Sequence, residues 1–247
     1  MASKSLLSIL LRQQSLGLII GLIVGVILSS MIFFGGYDNH IGIPMEQFPE
    51  PQWRTPQTKG VRTVTSTPFA RFEIHQVEVP TVAKDGTKST KIIPDWLWTD
   101  ERSHVNVLVH LKEENKYLLY RQTKYGLEKE SLAVLGGLFN TGEKTGEHCA
   151  RRELLEEAGL VAEEMKFLGK YRVQVNRGGG FLHIYLAKNC VKASVEALKE
   201  VGLFENDYED QSEVKLTRTE LIKEIKDHQI GEAQWLACVL MGLLDDQ

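Results

Sequence analysis

The chain has 247 residues, 43% of them hydrophobic and 25% charged, which is material for one large globular domain or two small ones. A formal net charge of -4, with both signs mixed beyond residue 60, offers no basic field and excludes nonspecific DNA binding. Cys149, Cys190 and Cys238 are far apart, with no CxxC pair and no zinc-type spacing, so they read as buried or free thiols.

Residues 1–14 form a short basic tail with Lys4 and Arg12. From Ser15 to Phe34 the stretch SLGLIIGLIVGVILSSMIFF carries no charge over twenty residues. At a helical rise of 1.5 Å per residue that is about 30 Å, the thickness of a bilayer core. Residues 15–36 are therefore expected to be a transmembrane anchor. A cleaved signal peptide is the alternative, but its apolar core is usually about 7 to 15 residues long and ends in a small-x-small site that is not clear here. Lys4 and Arg12 precede the span and Asp38, Glu46 and Glu50 follow it, so the positive-inside rule puts the N-terminus in the cytoplasm and the remainder in a lumen or outside. The first 37 residues lack Asp and Glu and are rich in Ser and Leu, as an organelle presequence can be, which keeps an organelle membrane open. Gly17, Gly21 and Gly25 repeat every four residues; they suit either close helix pairing or the ordinary abundance of glycine in such helices.

All seven prolines lie before residue 95, and residues 37–66, with IPMEQFPEPQWRTPQTKG, read as a Pro-rich linker. Residues 67–247 then form one domain. FARFEIHQVEV, HVNVLVHL, KYLLYRQ and the run from Lys166 through GKYRVQV to FLHIYLA are expected strands, from their β-branched and aromatic content. Helices interrupt them, which indicates an α/β layered domain. The TRTE at 217–220 is a capping box opening a helix through Ile225, and Glu232 to Leu244 makes a last, more apolar helix.

The stretch RRELLEEAGL, residues 151–160, predicts a helix capped by Thr145 at its start and Gly159 at its end, with Ala150, Leu154 and Ala158 as its apolar stripe. It gathers Glu153, Glu156 and Glu157 on one face, where like charges cost roughly 0.2 to 0.5 kcal/mol per pair. Either solvent and nearby arginines hide that repulsion, or a cation sits there. Upstream, GGLFNTGEKTG is a glycine loop leading directly into the helix. Glycines let the backbone come close to a ligand, and a helix N-terminus offers free N–H groups to phosphate oxygens. Carboxylates alone would repel a phosphate; carboxylates holding Mg²⁺ would attract it.

At residues 136–160 the sequence resembles the Nudix hydrolases, whose signature is G-x5-E-x7-R-E-U-x-E-E-x-G-U with U aliphatic. Arg152, Glu153, Leu154, Glu156, Glu157, Gly159 and Leu160 match the second half, and Gly137 and Glu143 the first. Eight residues instead of seven separate Glu143 from Arg152, a one-residue insertion near Lys144 to Gly146 expected to lengthen the loop and leave the glutamate face intact. The resemblance implies a Nudix fold, a mixed β-sheet sandwiched between helices. It also implies Mg²⁺, with Mn²⁺ as an alternative, held by Glu156 and Glu157 with Glu153 as a further ligand or orienting group, while Arg152 fixes a carboxylate. The implied reaction is attack of a metal-activated water on a diphosphate that links a nucleoside to another moiety.

YLLYRQTKYG, residues 117–126, resembles the strand before the box in ADP-ribose and ADP-sugar pyrophosphatases. Arg121 and Lys124 then become candidates for substrate phosphates or the terminal ribose, beside the loop glycines Gly136 and Gly137; as ordinary surface cations Arg121 and Lys124 need no such role. Where that branch has Glu-x-Pro before the glycines, this chain has Ala133 and Leu135. In the acidic run FENDYEDQSEV, Glu205, Glu209 and Glu213 are candidates for a general base; Glu209, in the middle, is the choice, against a simply solvated loop. Trp96, Trp98 and Phe181 are candidates for stacking on a base, or for packing. The expected protein is a membrane-anchored, Mg²⁺-dependent homodimer acting on ADP-ribose or a related nucleoside diphosphate sugar. The alternatives are another Nudix substrate (NADH, coenzyme A, capped RNA, a diphosphoinositol) and a nucleotide-binding sensor without turnover.

Overall fold

The computed structural model describes residues 52–200 and 211–246. The basic tail and the expected anchor lie outside the described residues; among those described, no helix is long and apolar enough to cross a membrane. The strands are β1 (Thr58–Ser66), β2 (Ala70–Val82), β3 (Lys88–Glu101), β4 (His104–Leu111), β5 (Lys116–Gln122), β6 (Ser131–Ala133), β7 (Leu135–Leu138), β8 (Leu160–Val161), β9 (Glu164–Gln174), β10 (Gly178–Lys192) and β11 (Gln211–Leu216). The helices are α1 (Gly146–Ala158), α2 (Val195–Glu200), α3 (Arg218–Lys226) and α4 (Ala233–Asp245).

The strands join in one mixed sheet with a path β1-β2-β3-β10-β4-β5-β11. β10 runs parallel to β4 and antiparallel to β9. Side chains alternate along β4 because successive residues of a strand point to opposite faces. Val105, Val107 and Val109 pack with Cys149, Ala150 and Leu154 of α1, whereas Leu108 packs with Cys238, Val239 and Leu243 of α4 on the other face. The sheet is thus covered on both faces by helices, as an α/β layered domain requires. Leu154 is 1% exposed. Truncating such a residue to Ala typically costs about 2–5 kcal/mol, so the apolar stripe of α1 fixes the glutamate helix to the sheet.

β4 and β5 pair only through Val109–Leu111 and Lys116–Leu118. Towards its N-terminal end β4 is taken by β7, with Asn106 opposite Gly136, and β5 is taken by β6, with Gln122 opposite Ser131. The two strands fork around residues 131–138, and that fork brings Gly136 and Gly137 beneath α1.

The Pro-rich linker is shorter than expected. Thr58–Ser66, assigned to it by composition, is a full antiparallel partner of β2. Arg54 is also tied in, its guanidinium donating to Glu73 at 2.8 and 3.1 Å. The sequence marks only the first arm of the β2–β3 hairpin, because Pro94 interrupts the second; both Pro80, in β2, and Pro94, in β3, sit in the strands, and Pro80 pairs opposite Thr90.

Candidate active site

The glutamate helix begins where its chemistry requires. Thr145 is extended and its hydroxyl accepts from the His148 N–H at 3.2 Å. Gly159 ends the helix in the left-handed region at φ 62, its N–H reaching the carbonyls of Leu154 and Leu155. Gly146, directly after the cap, is the first helical residue. A Cβ there would lie 2.6 Å from His183 Nδ1 and 2.7 Å from the Tyr185 hydroxyl, so only glycine lets the helix start this close to β10.

Glu143 keeps its place in spite of the insertion. Arg152 donates from Nε to Glu143 Oε1 at 2.9 Å and from Nη2 to Oε2 at 3.2 Å, and the Asn140 N–H donates to Oε2 at 2.7 Å. Burial works against the Glu143 charge, but Arg152, the Asn140 amide and His148 outweigh it and bring its pKa down to about 2. The other side of the same guanidinium meets Glu153 Oε1 at 2.7 Å and Glu156 Oε2 at 2.8 Å. Arg152 thereby ties three carboxylates together, which answers how the helix tolerates its like charges.

The glutamates differ in setting. Glu153 is 7% exposed, and burial raises its pKa above the usual carboxylate range, with Arg152 opposing. Its carboxylate fills the space over Gly137, where a Cβ would approach Oε2 to 2.6 Å and Oε1 more closely. Glu156 is exposed and Glu157 half-buried. Glu157 lies close enough to Tyr120 of β5 for its charge to push that phenol's pKa up, second to burial and ahead of Glu213. Glu153 thus lies over β7, and Glu157, four residues on, is near enough to β5 for its charge to act on Tyr120.

Next to Gly136 and Gly137 a cleft of about 510 Å³ opens, lined also by Arg102, His104, Asn106, Gln122, Lys124 and Trp235. Asn106 and Gln122 are buried, and Asn106 Nδ2 and Gln122 Oε1 have no hydrogen-bond partner. Three expected substrate residues, Gly136, Gly137 and Lys124, are brought together here. Arg121 is not: it points away into an ion pair with Glu130 at 3.5 Å. Glu209 and Glu205 lie outside the described residues. Glu213 is on β11 directly opposite Tyr120.

Trp98 and Phe181 are engaged in packing. Trp98 is buried, its indole donating to Asp100 at 2.8 Å and stacking on Trp53 at 6.0 Å. The Arg172 guanidinium lies 3.8 Å from the Phe181 ring centre and 4.4 Å from that of Trp53. Trp96 is half-buried on β3. Sequence reasoning missed Tyr120, whose hydroxyl is buried without a partner between Glu157 and Glu213. The strand alternation of KYLLYRQ, which sets Tyr120 on the same face as Leu118, was the available signal.

Carboxylate oxygens are hard donors of the type Mg²⁺ takes. Glu153 and Glu156 already share one cationic group, Arg152, and the missing side chain at 137 makes the cradle for Glu153. The residues fit a divalent cation in donor type. Among the described residues no three acidic, His or Cys side chains converge as a finished cluster, since Arg152 stands between Glu153 and Glu156.

A curled mixed sheet between helices, with an R-E-x-x-E-E helix seated on a glycine pair in a strand fork, defines a Nudix-type hydrolase. The NUDIX domain model matches residues 101–237, over half of the chain, and the chain belongs to the Nudix family of pyrophosphohydrolases. The methanol dehydrogenase activator of Bacillus methanolicus is 28% identical over 132 residues, covering 53% of this chain and 68% of that protein. A crystal structure of an ADP compounds hydrolase aligns with a TM-score of 0.58 at 20% identity, over 80% of this chain and 96% of that one, a likeness of fold.

Proposed function

We propose that this Nudix enzyme splits the diphosphate of ADP-ribose or a related nucleoside diphosphate sugar, giving a nucleoside monophosphate and a sugar phosphate. The observation that supports the proposal is that the Glu153 carboxylate lies over Gly137, at the cleft that Gly136, Gly137 and Lys124 line. Glu153, Glu156 and Glu157 would hold Mg²⁺ or Mn²⁺, which when bound supplies charge neutralisation and an activated water. Arg152 orients the carboxylates, Gly137 leaves the room that Glu153 takes, and Lys124, at the cleft, would meet an anionic oxygen. Positioning and charge then supply most of the rate. The likeness to an ADP compounds hydrolase favours an ADP-linked substrate. Glu209 is the proposed general base, residues 15–36 the membrane anchor with the domain on the lumenal or outer side, and a homodimer the working assembly.

The test is AMP release from ADP-ribose by the full chain with Mg²⁺, beside Glu156→Gln. Release that needs both the metal and Glu156 supports the proposal. Release that persists in Glu156→Gln refutes the site.

A further inference from the structure

The amino end of α1 carries a second cleft, of about 450 Å³, whose charge the reaction described above leaves unused. Arg102, Lys144, Lys170 and His183 line it, together with Ser103, Asn140 and Thr145. Its single carboxylate, Glu143, is already committed to Arg152, His148 and the Asn140 amide. The cations have no such commitment. Among the described residues Arg102 makes no ion pair, and its Nε is buried without a hydrogen-bond partner. Lys170 lies over the Phe181 ring, at 4.3 Å, and makes no ion pair among the described residues, and Lys144 is exposed in the loop. Burial first, then Lys170 and His104, bring the His183 pKa down to about 4, so at neutral pH this ring is a neutral hydrogen-bonding group among cations.

Arg102 lines this cleft and also the cleft at Gly136 and Gly137, so the two meet at this residue. Gly146 marks this end of the helix, and seven residues on, about 10 Å along the axis, stands Glu153. We propose that the second cleft binds a further phosphomonoester carried by the diphosphate substrate, roughly one nucleotide sugar's length from the scissile bond. A dianionic phosphate has three acceptor oxygens for Arg102 and the two ammonium groups, and it removes the uncompensated positive charge. A neutral sugar hydroxyl would leave that charge in place. The preferred substrates are thus nucleoside diphosphate conjugates bearing an extra 2′- or 3′-phosphate.

The inference rests on the hydrolase reading, and the experiment separates the two. The full chain with Mg²⁺ is assayed on two matched pairs, ADP-ribose with its 2′-phosphate and dephospho-coenzyme A with coenzyme A. Dissociation constants for the same four compounds are measured by tryptophan fluorescence. The phosphorylated member of at least one pair is expected to be favoured about tenfold in kcat/KM or in affinity, the order of one charge-assisted contact set. Lys170→Met, and independently Lys144→Met, should shrink that preference severalfold while leaving kcat on ADP-ribose unchanged. Equal handling of both members in both pairs, with turnover intact, overturns the subsite alone, as does a preference that both variants retain. Neither turnover nor binding of any of the four overturns the subsite together with the substrate reading.

Discussion

The Glu153 carboxylate occupies the volume that a side chain at Gly137 would need. A Cβ at 137 would lie 2.6 Å from Glu153 Oε2 and closer still to Oε1. The glycine is needed for contact and not for backbone strain, since Gly137 is absent from the positive-φ positions among the described residues. Gly137→Ala should therefore move one carboxylate and little else. The expected result is a loss of about a hundredfold or more in kcat/KM with the unfolding midpoint changed by only a few degrees. Near-normal turnover would show that Glu153's position over β7 is immaterial to the reaction.

Glu157 and Glu156 divide the remaining work. Glu157 is half-buried and its charge acts on Tyr120, whereas Glu156 is exposed and shared with Arg152. Replacing Glu157 by Gln keeps the shape and removes the charge, and is expected to cost at least about a hundredfold in kcat with Mg²⁺. The circular dichroism spectrum should be unchanged. A Glu157→Gln enzyme that turns over like the parent would remove this residue from the metal site.

The insertion before α1 leaves a measurable trace. Sequence spacing alone leads to the expectation that deleting Lys144 changes activity little. The structure argues otherwise, because the loop now runs from Glu143, bound to Arg152 at 2.9 Å, to the Thr145 cap. With one residue fewer, the chain must give up the cap or the Glu143–Arg152 pair. Deletion of Lys144 is predicted to reduce kcat/KM by about tenfold or more and to lower stability by about 1 kcal/mol, the usual worth of an N-cap. Unchanged activity and melting would mean that the loop relaxes without disturbing either contact.

What was legible in the sequence follows from how local its cause is. Thr145, Gly159 and the Thr217–Glu220 capping box all act within three or four residues, and the structure has each of them in place. The strands with strong β-branched runs were equally plain. β1 was not, because TKGVRTVTS becomes a strand through its pairing with β2. The fork between β4 and β5, which assembles the site, depends on β6 and β7 taking up partners far along the chain. Trp98 illustrates the same limit. Its aromatic character suggested a base-stacking role, but its neighbours Asp100, His75 and Trp53 are set by sheet register.

Glu73 is fully buried, and burial raises its pKa, yet Arg54, His75 and Arg71 more than offset this and bring it down. Arg54 comes from the segment that composition assigned to the linker. Arg54→Ala should destabilise the domain by about 1–3 kcal/mol, less than the loss from an isolated buried pair, because Arg71 and His75 remain at 3.3 and 2.8 Å. The double variant with Glu73→Gln should lose less than the sum of the two single losses in urea unfolding. Strict additivity would show that the two side chains do not depend on each other.

His183 makes the stability of the native state sensitive to mild acid. Its pKa falls from 6.5 to about 4, first because burial between Phe139 and Phe167 disfavours the charged ring, then because Lys170 and His104 repel it. Between these values the unfolded chain binds a proton that the native chain refuses, so stability rises with pH through that window and is lost as pH falls from 6.5 towards 4. His183→Gln cannot take up the proton in either state. Its unfolding free energy, measured in urea at half-unit steps, should therefore be flatter across the window than that of the parent. Equal slopes for the two proteins would place the acid sensitivity in other groups and return His183 to an ordinary imidazole.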